Sequence, residues 1–201
     1  MHELARLVIA TSFVISLATP LTAQGGAAPT GQLPPTTPQQ TSPPATKLEG
    51  FQPTAGSLWT VGYDELGNTS FASGVTVDVR DVRDSNGGGA RGLLIEVTES
   101  EFRKERSFVD ADEIPELIKG TDALLGVKAN PTQFKMFEVR YVTRGDLQLT
   151  VFNRGNATLH YAIQAGRTLR AQRFLEASDM LKLLAMFEAA LHKLTATNPG
   201  R

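Results

Sequence analysis

The sequence predicts an α+β fold, a largely antiparallel sheet with two helices on one face. Three observations carry that expectation. Short runs after residue 48 alternate apolar and polar residues, turn-forming residues separate them, and two longer segments show helical spacing. Alternation with a period of two marks strands with one buried and one solvated face, which is the antiparallel habit.

Val75-Thr-Val-Asp-Val-Arg80 is the first such run, and Leu93-Leu-Ile-Glu-Val-Thr98 follows it in part. Between them, Asn86-Gly87 supplies the positive φ that tight hairpin turns require. Asp112-Glu-Ile-Pro-Glu-Leu-Ile118 then opens a helix over 112–125, with an acidic cap and Pro115 in the first turn, where a missing N–H costs little. Three more alternating runs lie at 137–143, 147–152 and 159–164. Arg144-Gly145-Asp146 and Asn153-Arg-Gly-Asn156 sit at their joints. A last helix begins near Ser178-Asp179 and runs to about Lys193. Met180, Leu183, Leu184, Phe187, Leu191 and Leu194 form its apolar stripe, which reads as core packing.

The two helix starts echo each other. Arg103, Arg106, Phe108, Asp112, Ile114 and Leu117 repeat the spacing of Arg170, Arg173, Leu175, Asp179, Leu181 and Leu184. A duplicated unit of strands followed by one helix, both helices lying on one face of a shared sheet, accounts for this most simply. A β-rich, pleckstrin-homology-like barrel capped by the last helix is the competing architecture. It would leave the helix at 112–125 outside the barrel.

The repeated strands-then-helix order resembles, at the level of topology, the duplicated sheet-and-helix modules of the Pur-alpha and Whirly families. The resemblance implies a fold and not an activity. Those proteins read single-stranded nucleic acid with a basic, aromatic-bearing sheet face. Here the solvated positions Thr76, Asp78, Arg80, Glu96, Gln148, Thr150 and His160 are mixed in sign and poor in rings. The stretch from Phe108 to Gly120 is also similar to a segment of uncharacterised exported bacterial proteins, which brings no activity with it.

The amino-terminal end reads as a secretory signal. Arg6 precedes an apolar run over 7–18, Pro20 breaks it, and Leu21-Thr22-Ala23 precedes the expected cut, with Ala18 the alternative. Residues 24–47, interrupted repeatedly by proline among Thr, Gln and Gly, read as a disordered linker or spacer. A single α+β domain is expected over 48–195, with a disordered tail at 196–201. The expected location is outside the cytoplasm, periplasmic or extracellular.

Composition narrows the function. A formal net charge of -1 gives no long-range pull on nucleic acid, so a nucleic-acid partner is not expected. The absence of cysteine excludes a disulfide framework, a thiol nucleophile and a lipid-modified cysteine. No apolar run after the signal is long enough for a transmembrane segment. His160 and His192 do not stand at metal-ligand spacing, no nucleophile elbow occurs, and Gly87-Gly88-Gly89 lacks the rest of a phosphate loop. The acidic clusters at 110–113 and 84–87 lack the ligand spacing of a calcium loop. Arg144-Gly145-Asp146 is the cell-adhesion tripeptide on an exposed turn, although Gly-Asp is also ordinary turn chemistry.

The reading that results is an exported, non-catalytic domain binding a protein partner or a small ligand, with no cofactor, no metal and no catalytic residue assigned. A carboxylate-based hydrolase and a single-stranded nucleic acid binder are the alternatives. Arg106, Arg173 and His160 are the binding candidates. The two arginines are expected to hold the helix-start aspartates Asp112 and Asp179 by charge-assisted hydrogen bonds.

Overall fold

Among the described residues, eight strands and three helices follow one another in an order that repeats. The computed structural model describes residues 43–69 and 74–196. The expected signal sequence, the expected linker up to residue 42 and the expected tail beyond residue 196 lie outside them. A short helix α1 (Lys47–Gly50) precedes β1 (Trp59–Thr69), β2 (Val75–Asp84), β3 (Gly89–Ser100) and β4 (Arg103–Asp110). Helix α2 (Ile114–Leu125) closes that half. Then come β5 (Glu138–Val142), β6 (Gln148–Phe152), β7 (His160–Ala165), β8 (Ala171–Leu175) and α3 (Ala177–Ala196). The α+β class and the antiparallel pairing are as the sequence predicts. The strands, however, divide into two four-stranded sheets, β1-β2-β3-β4 and β5-β6-β7-β8, and do not share one. Each unit of four strands keeps its own meander and is followed by its own helix.

The alternation explains which faces meet. Val75, Val77 and Val79 of β2, with Leu93, Ile95 and Val97 of β3, turn inward from the first sheet. Leu149 and Val151 of β6, with Tyr161, Ile163 and Ala165 of β7, turn inward from the second. Both sets join one core with Ile114, Leu117 and Leu124 of α2 and Met180, Leu183, Phe187 and Leu194 of α3. Helix α2 packs on β5 and β6 and against α3, which crosses β1–β3 and the ends of β7 and β8. A barrel with α2 left outside does not fit that packing. The stripe of α3 is core, as its spacing implies, but Met186 and Ala190 are buried where Leu184 and Leu191 stand at the margin.

The helix starts differ from expectation. Glu113 is the N-cap of α2 but lies in helical conformation and makes no side-chain cap bond, while Pro115 occupies the first turn as expected. In α3, Asp179 accepts from the backbone N–H of Glu176 at 3.3 Å, closing the first turn from within.

The first residues of the structure also correct the boundary. Residues 43–47, read as linker, dock on the first sheet. Thr46 is buried and caps α1, accepting from the Glu49 N–H. The buried carboxylate of Asp110 accepts from the N–H groups of Lys47 and Leu48 at 2.9 and 3.0 Å. Leu48 and Phe51 thereby roof the outer face of the first sheet over Val82, Ala90 and Phe108. No such roof covers the second sheet among the described residues.

Candidate functional site

The outer face of the second sheet is built by register. Phe152 lies between Glu138 and His160; Thr150 and Ala162 lie between Arg140 and Phe174; Gln148 and Gln164 lie between Val142 and Gln172. Residues opposite one another across antiparallel strands share a face, so these sets form three transverse rows. The short side chains of Thr150 and Ala162 floor the middle row while longer ones rise around them. A shallow trough of about 720 Å³ results, bordered by Arg154, Arg170 and the residues 136–137.

Its chemistry is aromatic, amide and guanidinium. Phe174 is 62 % exposed and its ring lies 6.1 Å from that of Phe152, which is 5.5 Å from the imidazole of His160. The guanidinium of Arg154 stands 5.8 and 5.6 Å from the ring centres of Phe152 and Phe174, a shared cation–π contact. Arg170 reaches Gln164 at 3.4 Å. Arg140 grips Glu138 with two hydrogen bonds of 2.7 and 2.6 Å. Those bonds hold the Glu138 carboxyl below the usual carboxylate range. Three arginines thus stand against one carboxylate, and that carboxylate is already neutralised by its neighbour.

The candidates drawn from the sequence separate. His160 lies on this face. Arg106 does not: it pairs with Glu96 across the first sheet at 2.9 Å. Arg173 projects from β8 to the carbonyl of Glu99 at 3.3 Å. Neither meets a helix-start aspartate: register sets Arg106 opposite Glu96 on β3, and Arg173 reaches across to the first sheet. Asp112 instead takes Arg144 at 2.6 Å, and Asp179 faces Lys182 at 3.7 Å.

The Arg-Gly-Asp turn is a joint and not a free loop. Arg144 is held by Asp112 and Glu113. Asp146, with φ 60°, accepts from Arg167 at 2.8 Å. Gly145 lies against the carbonyl of Phe108 so closely that any Cβ would overlap it. Both charged members of the tripeptide are therefore committed inside the fold.

Sequence reasoning placed Gln148 on the solvated face with His160 but missed Phe152, Phe174, Arg154 and the other two glutamines of the row, Gln164 and Gln172. Only strand register brings residues so distant in the chain to one face. The signal that was available is the phase of the alternation in β6 and β7, which puts Phe152 on the same side as His160. Among the described residues no group of three or more His, Asp or Glu is arranged to hold a metal ion. Comparison with family models, with curated proteins and with solved structures gives no match.

Proposed function

We propose that this is an exported, non-catalytic binding domain that takes a small ligand or an extended segment of a partner on the outer face of β5–β8. One observation carries the reading. The first sheet's outer face is roofed at one end by Leu48 and Phe51 and carries mutually paired charges over the rest, whereas the second sheet's presents an open trough with an exposed phenylalanine and convergent amide and guanidinium groups. Open rings stack on flat apolar faces, and glutamine and arginine donors satisfy carbonyl, hydroxyl or anionic groups beside them. The ligand this chemistry suits is a flat or extended one that is neutral to anionic. The trough offers poor support for hydrolysis by paired carboxylates. Glu138 is its one acid, and Arg140 holds that acid ionised, opposite to what a general acid needs.

The test is a binding panel of neutral and acidic oligosaccharides and peptides, read by backbone NMR shift mapping. Bound members are expected to perturb β6–β8, and Phe174→Ala with Arg154→Ala to weaken them tenfold or more, about 1.4 kcal/mol. Perturbations that cluster elsewhere, or equal affinity in the double variant, would overturn the assignment.

The rings and arginines also favour a second reading, single-stranded nucleic acid, which stacks bases on such rings. It requires affinity that falls steeply with salt, because phosphate contacts release counterions. Salt-independent binding, or none, removes it.

A further inference from the structure

We infer that β1 is a self-pairing edge, and that two copies of the chain join through antiparallel β1–β1 contact into one continuous sheet. The four edge strands of the two sheets are β1, β4, β5 and β8. Charge on an edge strand keeps sheet edges apart, and the four carry it in different places. Strand β4 has Arg103, Lys104, Glu105 and Arg106, β5 has Glu138 and Arg140, and β8 has Arg173. Strand β1 carries Asp64 and Glu65 in its middle, but its first five residues, Trp59 to Tyr63, have no charge, and Leu58 before them is apolar. Residues 59–65 are exposed on both faces, with Leu58, Trp59 and Tyr63 exposed by 84, 54 and 71 %. This arm of the hairpin extends past the core and shows a row of apolar side chains beside an open backbone.

The phase of the backbone fixes how a second copy fits. The Ser85 N–H donates to the Leu58 carbonyl at 2.8 Å, and Thr60 and Gly62 stand opposite Arg83 and Asp81 in the same phase. The backbone groups of Trp59, Val61 and Tyr63 therefore point away from β2. A twofold axis at Val61 sets Val61 against Val61 of the second copy, Trp59 against its Tyr63, and Thr60 against its Gly62. The outward N–H and C=O groups of 59, 61 and 63 then pair reciprocally. Charge is complementary in the same register. Asp64 falls opposite Leu58, so no like charges meet. Arg80, whose guanidinium lies 4.9 Å from the Tyr63 ring, and Asp84, beside Trp59, end each cross-dimer row with opposite signs.

The test uses the protein as its host processes it. Sedimentation velocity over a wide concentration range is expected to show a monomer–dimer equilibrium. Val61→Pro and Val61→Lys are expected to abolish the dimer without changing the circular dichroism, because the Val61 N–H serves no bond to β2. Where Val61→Pro perturbs the fold, Val61→Lys decides. The chain has no cysteine, so a Val61→Cys chain reports the axis directly. Hydrogen-bonded antiparallel pairs stand about 5.5 Å apart at Cα, within disulfide reach. Mild oxidation should link that chain into covalent dimers, and should leave Val142→Cys, on the edge strand β5 and more exposed than Val61, largely unlinked. A native chain that stays monomeric throughout, a dimer that survives Val61→Lys, or equal cross-linking at the two positions would overturn the proposal.

Discussion

Arg144 and Arg167 show how a few side chains define the joints of this fold. Arg144 spans from the β5–β6 turn to Asp112 and Glu113 at the start of α2, and Arg167 spans from the β7–β8 turn to Asp146, Glu49 and the carbonyl of Pro43. Each distributes several donors over separate elements, which a planar guanidinium does better than an ammonium. The Asp112 carboxyl is held below its ordinary range chiefly by its hydrogen bond to Arg144. A carboxyl with a depressed folded-state value stabilises the fold above its unfolded value, and that stabilisation is lost as pH falls through the folded value. Wild type should therefore exceed Arg144→Gln in stability at neutral pH, by a few tenths to about 1 kcal/mol for so exposed a pair. The gap should narrow below about pH 4. Denaturant midpoints at several pH values check this, and a gap that stays constant on acidification would contradict it.

Among the elements, α2 carries the sharpest packing constraint. Gly120 sits inside the helix, where alanine has the better propensity. The ring of Tyr141 from β5 lies against it, in the space an added Cβ would take. Gly120→Ala should thus destabilise by about 1–3 kcal/mol despite the propensity gain. Gly120→Ala in a Tyr141→Ala background should recover most of that loss, and thermal melts of the four chains would show whether it does. The same elements explain what the sequence disclosed. Strands β2, β3, β5, β6 and β7 and both long helices were legible because their apolar residues recur at strand or helix spacing, although residues 93–95, 149–151 and 161–163 are buried on both sides of their sheets. Strand β1 was passed over although Trp59-Thr-Val-Gly-Tyr-Asp64 alternates, and its apolar side chains are exposed and mark no core face. Strand β4 begins Arg103-Lys104-Glu105-Arg106, which reads as solvent, and β8 is short and half polar. The trough was hidden for another reason: Phe152 and Phe174 become neighbours only through β7, whose Ala162 pairs with Phe174 and whose His160 pairs with Phe152. The paired arginines were misread because the echo was real in topology, marking the last strand before each helix, yet side-chain partners follow the strand register.

As a whole molecule, the chain joins two equivalent units through a single core. Side chains from both sheets and both long helices are in that core, so neither unit can bury its apolar face alone. Unfolding should be one cooperative transition, with near- and far-ultraviolet circular dichroism changing together in urea. Two resolved transitions, or a folded fragment ending near residue 126, would show that the halves are separately stable.

The docking of residues 43–50 has a mechanical consequence. Tension applied through the preceding chain would first meet Arg167 on Pro43 and Asp110 on Lys47 and Leu48, at the β7–β8 turn and the end of β4. These contacts precede β1 in the chain, so they would have to yield before the pull reached β1. The load would thus enter both halves of the molecule at once, at the end of β4 and at the β7–β8 turn.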